Sequence, residues 1–240
     1  YLLTCQEDGE WNNTTQSFNP GADGSGSGIY AQRYTSNGST VGGEFRVNST
    51  TQDAQWSPAV SALADGGYLV TWQSYDGWGT GIYAQRYASN GSTLGGEFRV
   101  NSTTASDQWN PAVSALADGG YLVTWRSAGQ DGSGDGIYAQ RYASNGSTLG
   151  GEFRVNSTTQ DYQLYPAVSA LADGGYVVTW QSYNQDGSGY GIYAQRFSSS
   201  IPGAPSLSIR ALYPSFNEGS GGGTTPVPLE ITRSSSNESS

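Results

Sequence analysis

The stretch Pro58–Asn101, PAVSALADGGYLVTWQSYDGWGTGIYAQRYASNGSTLGGEFRVN, decides the fold because the chain repeats it. It returns from Pro111 to Asn156 and, shortened, from Pro166 to Phe197. A partial copy opens the chain, where YLLTCQ at Tyr1–Gln6 lines up with YLVTWQ at Tyr68–Gln73. The GIYAQR block starts at Gly28, Gly81, Gly136 and Gly191, giving spacings of 53, 55 and 55 residues. A fixed period of that size marks a tandem array of supersecondary units.

Each copy reads as four short strands. PAVSAL and YLVTWQS alternate with period two, placing Tyr68, Val70 and Trp72 on one face and Leu69 and Thr71 on the other, the pattern of a half-buried strand. Ala-Asp-Gly-Gly between them is a hairpin signal, since such a turn needs positive φ. GIYAQRY is the third strand, Ser-Asn-Gly-Ser a second turn, and GGEFRVN, Gly95–Asn101, the fourth. No stretch has helical periodicity. Four strands per period predict an all-β, β-propeller-like chain. A β-trefoil has a similar period, but four copies of the third strand do not suit three-fold closure.

Composition agrees. Only 35% of residues are hydrophobic while 35 are glycine, so apolar area comes largely from Tyr, Trp and Phe, which suit strands. Ten Arg, no Lys, no His and twenty acidic residues leave a net charge of −10. An acidic chain without basic clusters speaks against nucleic acid and anionic membrane surfaces as partners. No apolar run is long enough to insert in a membrane as a helix. Cys5 has no partner for a disulfide and stands where Trp72, Trp125 and Trp180 stand, which makes it a small core residue. Lacking Met and starting inside a repeat, the sequence reads as a piece of a longer protein.

The array is expected to span residues 1–200, with the first unit lacking its first strand and the fourth its last. Residues 201–240 differ in composition and hold two β-like runs, Ser206–Leu212 and Pro226–Arg233, around a Gly-rich loop.

ALADGGYLVTWQS (Ala62–Ser74), GIYAQRY (Gly81–Tyr87) and GGEFRVN (Gly95–Asn101) resemble the tandem repeat of very large bacterial surface or secreted proteins, notably cyanobacterial ones. The resemblance covers Tyr1 to Phe197. PSLSIRA, NEGSGGGTTP and PLEITRSS resemble the opening of a Calx-beta domain, over about two strands. The family implies an extracellular or cell-surface setting and a propeller-like stack of blades. It supplies no catalytic residue set.

Asp-Gly-Ser-Gly recurs between the second and third strands at Asp23, Asp131 and Asp186. Carboxylates in Gly-rich loops chelate Ca²⁺, and Asp131 with Asp135 is the best pair. Tight turns need the same residues, and the spacing of known Ca²⁺ loops is missing, which favours the turn. Arg33, Arg86, Arg141 and Arg196, with Arg46, Arg99 and Arg154, are expected to pair with Glu44, Glu97 and Glu152 or with carbonyl oxygens. Trp56, Trp78, Trp109, Tyr162 and Tyr190 lie in loops that differ between copies and are candidates for stacking on sugars or sealing an interface. Asn-x-Ser/Thr at Asn12, Asn37, Asn48, Asn90, Asn101, Asn145 and Asn156 makes these glycosylation candidates.

Two functions compete. Incomplete end units beside a strand-like tail suggest self-association: a structural extracellular subunit adding head to tail into a fibre. Strand donation would use Ser206, Leu207, Ile209, Val227, Leu229 and Ile231. The alternative is a lectin-like or adhesin module that binds glycans through the loop aromatics. The chain reads as a non-enzyme, with no His and no nucleophile elbow or phosphate loop. A two-carboxylate glycosidase alone needs nothing beyond Asp or Glu.

Overall fold

A computed structural model of the chain describes residues 2–7, 10–12, 17–19, 26–75, 77, 79–198, 207–211 and 229–233. The described residues are all-β, with no helix among them, and divide into two units, 1–198 and 199–240.

In the first unit, β1 (Leu2–Glu7) leads through a small hairpin, β2 (Glu10–Asn12) and β3 (Ser17–Asn19), to β4 (Gly28–Tyr34) and β5 (Thr40–Arg46). Strands β1, β4 and β5 form a three-stranded antiparallel sheet. The second sheet takes β6 (Gln55–Ala62), β7 (Tyr68–Tyr75), β8 (Thr80–Tyr87) and β9 (Phe98–Arg99) in sequence order. The third repeats it with β10 (Gln108–Ala115), β11 (Tyr121–Ala128), β12 (Asp135–Tyr142) and β13 (Phe153–Arg154). The fourth is three-stranded: β14 (Gln163–Ala170), β15 (Tyr176–Tyr183) and β16 (Tyr190–Phe197). Four-stranded meanders stacked face to face, with the first strands β6, β10 and β14 packed on one another, make a β-propeller-like array.

The core lies between sheets. Leu69, Ile82 and Ala84 on one face of the second sheet meet Tyr121, Val123, Trp125 and Tyr142 of the third. Ile29 and Ala31 meet Tyr68, Val70, Trp72 and Tyr87 one step earlier, and Leu122, Ile137 and Ala139 meet Tyr176, Val178 and Trp180 one step later. Both faces of an interior strand are therefore covered, and Tyr68–Ser74 is buried throughout. The half-buried strand read from the alternation is corrected: a sheet sandwiched between two copies of itself has no solvent face.

Within residues 1–198, and among the described residues, the fourth sheet has a neighbour on one side only. Ile192, in the position of Ile29, Ile82 and Ile137, is 74% exposed where those three are 0%.

Local chemistry explains the joints. Gly66, Gly119 and Gly174 take φ of 81°, 83° and 87° in the Asp-Gly hairpins, as the turn requires. Pro58, Pro111 and Pro166 fall inside the first strands, where a proline cannot donate to the ladder. Each sits at a β-bulge, and the residue before it, Ser57, Asn110 or Tyr165, adopts φ of 53–54°. The fourth strand is shorter than predicted. Gly95 turns at φ 75°, and only Phe98–Arg99 pair with β8.

In residues 199–240, β17 (Leu207–Ala211) pairs antiparallel with β18 (Leu229–Arg233), placing Ile209 opposite Ile231. The two runs expected to complete another subunit's sheet bind each other instead. Strand donation by Leu207, Ile209, Leu229 and Ile231 is corrected accordingly, while Ser206 and Val227 lie outside the described residues.

Candidate functional site

The antiparallel order gives the array two ends. At one lie the Asp-Gly and Asn-Gly hairpins. At the other lie the bulged starts of the first strands, the loops between second and third strands, and the crossings from each sheet to the next.

The crossings are held by a repeated amide latch. Asn48, Asn101 and Asn156 accept a hydrogen bond at Oδ1 from the N–H of Ile29, Ile82 and Ile137, at 2.8, 2.7 and 2.7 Å. Their Nδ2 atoms donate to the carbonyls of Thr50, Thr103 and Thr158 and to Oε1 of Gln55, Gln108 and Gln163. Each glutamine is 0% exposed. This overturns three glycosylation candidates: the amide nitrogens of Asn48, Asn101 and Asn156 are buried and already donate two bonds each. Asn37, Asn90 and Asn145 lie exposed in turns, where Oδ1 accepts from the N–H of Ser39, Ser92 and Ser147. Asn12 lies in β2.

Arg33 and Arg46 donate to carbonyl oxygens, one of the two expected arrangements, while the expected glutamate pairing gives way to aspartates at Arg86, Arg141 and Arg196. Arg86 pairs with Asp65 and Arg141 with Asp118, both at 2.5 Å, and Arg196 pairs with Asp173. The hairpin aspartates, not Glu44, Glu97 and Glu152, are thus the partners of the third-strand arginines. Arg33 donates to the carbonyls of Ser89 and Asn90. Glu97 accepts from the N–H of Ser49 and Thr50, and Glu152 from those of Ser102 and Thr103. These carboxylates clamp the crossings. Bonding to Gly67 N–H, then to Arg86, holds the Asp65 carboxyl below the usual range.

Among the described residues no three His, Cys, Asp or Glu side chains gather as metal ligands. Asp131 and Asp186 accept from the N–H of Ser133 and Ser188, the bond of an Asp-Gly turn. Asp135 is 3% exposed and paired with Arg126 at 2.6 Å, a cation that opposes Ca²⁺ there. The Asp131–Asp135 pair is corrected on that ground. Asp23 lies outside the described residues.

Aromatic side chains collect at the crossing end. Tyr75, Tyr162, Tyr165, Tyr183 and Tyr190 are all there, 39–57% exposed. Tyr183 and Tyr190 face each other across the mouth of the fourth sheet, ring centroids 4.9 Å apart. Trp109 is half-buried beneath the Arg126 guanidinium, 4.4 Å from its ring centre. Trp56 is half-buried in the equivalent place, and Trp78 lies outside the described residues. Where the first crossing meets the second sheet a cleft of about 260 Å³ opens at this end, lined by Thr50, Asp53, Ser74, Tyr75, Tyr83 and Glu97.

The structure thus places Tyr162 and Tyr190 at the same end of the array and adds Tyr75, Tyr165 and Tyr183, which sequence reading missed. Tyr165 occupies the bulge position held by Ser57 and Asn110. Arg126 and Asp135 replace Gln73 and Thr80 of the second unit. The signal for all three was a difference between copies where the frame is constant.

The chain matches no protein-family model and no curated protein sequence. Solved structures do share its fold. An endo-arabinase from Bacteroides thetaiotaomicron aligns at 14% identity and TM-score 0.46, over 79% of this chain and 74% of that one. An α-L-arabinanase from Penicillium chrysogenum, solved with arabinobiose, aligns at 13% and 0.48, over 80% of this chain and 58% of the other. An endo-1,4-β-xylanase from B. thetaiotaomicron aligns at 9% and 0.44, over 81% and 72%. These are similarities of fold.

Two expectations are corrected at this point. The three structures just described are named as an arabinase, an arabinanase and a xylanase, and not as fibre subunits. The head-to-tail fibre subunit and the non-enzyme reading are withdrawn on that ground; a likeness at this level is one of fold and assigns no activity to this chain.

Proposed function

We propose that the crossing end of this propeller-like array binds carbohydrate chains. The observation that carries the proposal is the gathering of five exposed tyrosines on one end, while the other large aromatics among the described residues from 26 to 198 are buried or half-buried. Exposed rings clustered on one face mark a binding surface, and loops displayed by a rigid scaffold are where binding residues concentrate. A tyrosine offers a flat apolar face to a sugar ring and a hydroxyl to its substituents. Arg126 and Asp135 beside Trp109 add hydrogen-bonding groups. The implied partner is a neutral polysaccharide, since the Arg126 charge at this end is already paired with Asp135.

The test is affinity electrophoresis of the full chain through gels containing arabinan, xylan, galactan or glucan, with release of reducing ends measured in parallel. Retardation by at least one polymer is expected. Tyr162→Ala and Tyr190→Ala should each weaken it about tenfold, ~1.4 kcal/mol. No retardation by any polymer, or undiminished retardation of both variants, would overturn the proposal.

A further inference from the structure

The opposite, hairpin end carries clefts of its own. Between the second and third sheets a cleft of about 440 Å³ is lined by Arg86, Leu94, Gly95, Phe98, Tyr121 and Gly146. Tyr121 is 1% exposed, and its hydroxyl has no hydrogen-bond partner. The Arg86 Nε–H likewise has none, although the same guanidinium is ion-paired with Asp65 through Nη2. The Arg86 guanidinium and the Tyr121 hydroxyl approach the same point: a methyl built on Gly146 would lie 3.4 Å from Arg86 Nη1 and 3.7 Å from Tyr121 Oη. One unit earlier a related cleft differs in its cation, since Arg33 donates to the carbonyls of Ser89 and Asn90 instead of pairing with an aspartate. Arg33 and Tyr68 line a cleft of about 420 Å³, and the Tyr68 hydroxyl is also unpartnered.

Buried polar groups are ordinarily satisfied, so an orphaned hydroxyl and an orphaned N–H facing one cleft call for an occupant. Its chemistry follows from what is missing. Asp65 neutralises Arg86, so the cleft asks for no net charge. The Nε–H needs an acceptor, and the phenol, which burial pushes up to about 12, stays protonated and can both donate and accept. Two neighbouring hydroxyls of one ring meet both needs, and Leu94 and Phe98 offer apolar contact to its face.

We propose that the cleft between the second and third sheets at the hairpin end binds one neutral monosaccharide unit through a vicinal diol, with Tyr121 and Arg86 as the contacts. The proposal does not rest on the reading of the crossing end.

Glucose, galactose, xylose and arabinose titrated singly into the isotope-labelled full chain provide the test. At least one sugar should give saturable shifts of the Gly95 and Gly146 amides and of the Arg86 Nε–H. Tyr121→Phe, which keeps the ring stacked on Tyr142 at 4.8 Å, should lower that affinity about tenfold. Leu94→Glu, at the 43% exposed rim, should lower it without touching the core. Tyr190→Ala, at the far end, should leave it unchanged. Absence of a saturable response to all four sugars, or an unchanged affinity in both Tyr121→Phe and Leu94→Glu, overturns the proposal.

Discussion

Asn101 holds three groups at once: the Ile82 N–H, the Thr103 carbonyl and the Gln108 amide oxygen. An aspartate would match the first and repel the last, and a leucine would leave all three unmet. Removing one partner of a buried hydrogen bond leaves the full desolvation cost of the other. Asn101→Ala should therefore lower stability by at least about 2 kcal/mol. Asn90→Ala, in an exposed turn, should cost only about 0.5 kcal/mol. Urea unfolding midpoints of the two variants check the contrast. From the sequence these asparagines look alike, since all precede the same sequon pattern. Nothing local reveals that one set faces a glutamine seven residues on, because the contact depends on how the chain crosses between sheets.

At the scale of the strand, the same side chain meets two environments. Ile137 is enclosed by the fourth sheet, while Ile192, at the same register in β16, faces outward at 74% exposure. Ile137→Ala should cost roughly 2–5 kcal/mol through lost burial and a residual cavity. Ile192→Ala should stay within about 0.5 kcal/mol. Calorimetry of the pair reads the difference, and equal losses would mean that the outer face is covered in solution. Most strands and the turn positions were legible, because period two and Asp-Gly turns act locally, but the small β2–β3 hairpin was not. The double-sided burial of β7 and β11 was not, since alternation reports that two faces differ, not that both are covered. The bulges were missed for a related reason. PAVSA reads as a strand starting at proline, but the ladder continues past it to Gln55 because the proline is bulged out of the pairing.

Across the whole molecule, stacked tyrosine pairs tie one strand to the next. Tyr68 stacks on Tyr87 and Tyr121 on Tyr142, each at 4.8 Å. Burial raises the hydroxyl pKa of all four above the ordinary 10.0, and Tyr121 reaches about 12. Above pH 10 the unfolded chain loses these protons while the folded one keeps them. The unfolded state then binds fewer protons, so stability falls as pH rises. Full stability is expected up to about pH 10 and a cooperative loss beyond it, with tyrosinate absorbance rising together with loss of the β-sheet circular dichroism. Tyr142→Phe should move that transition to higher pH. Gradual ionisation without unfolding would show that these rings are open to solvent.

The amide latches have one more consequence. They sit only where the chain leaves one sheet for the next, so a pull on the two ends of the array would load them in series, one after another. Each is a small clasp closed by side chains rather than by the backbone ladder. Under tension the array should therefore lengthen in discrete steps of about one repeat, as a chain of links does, and not yield all at once.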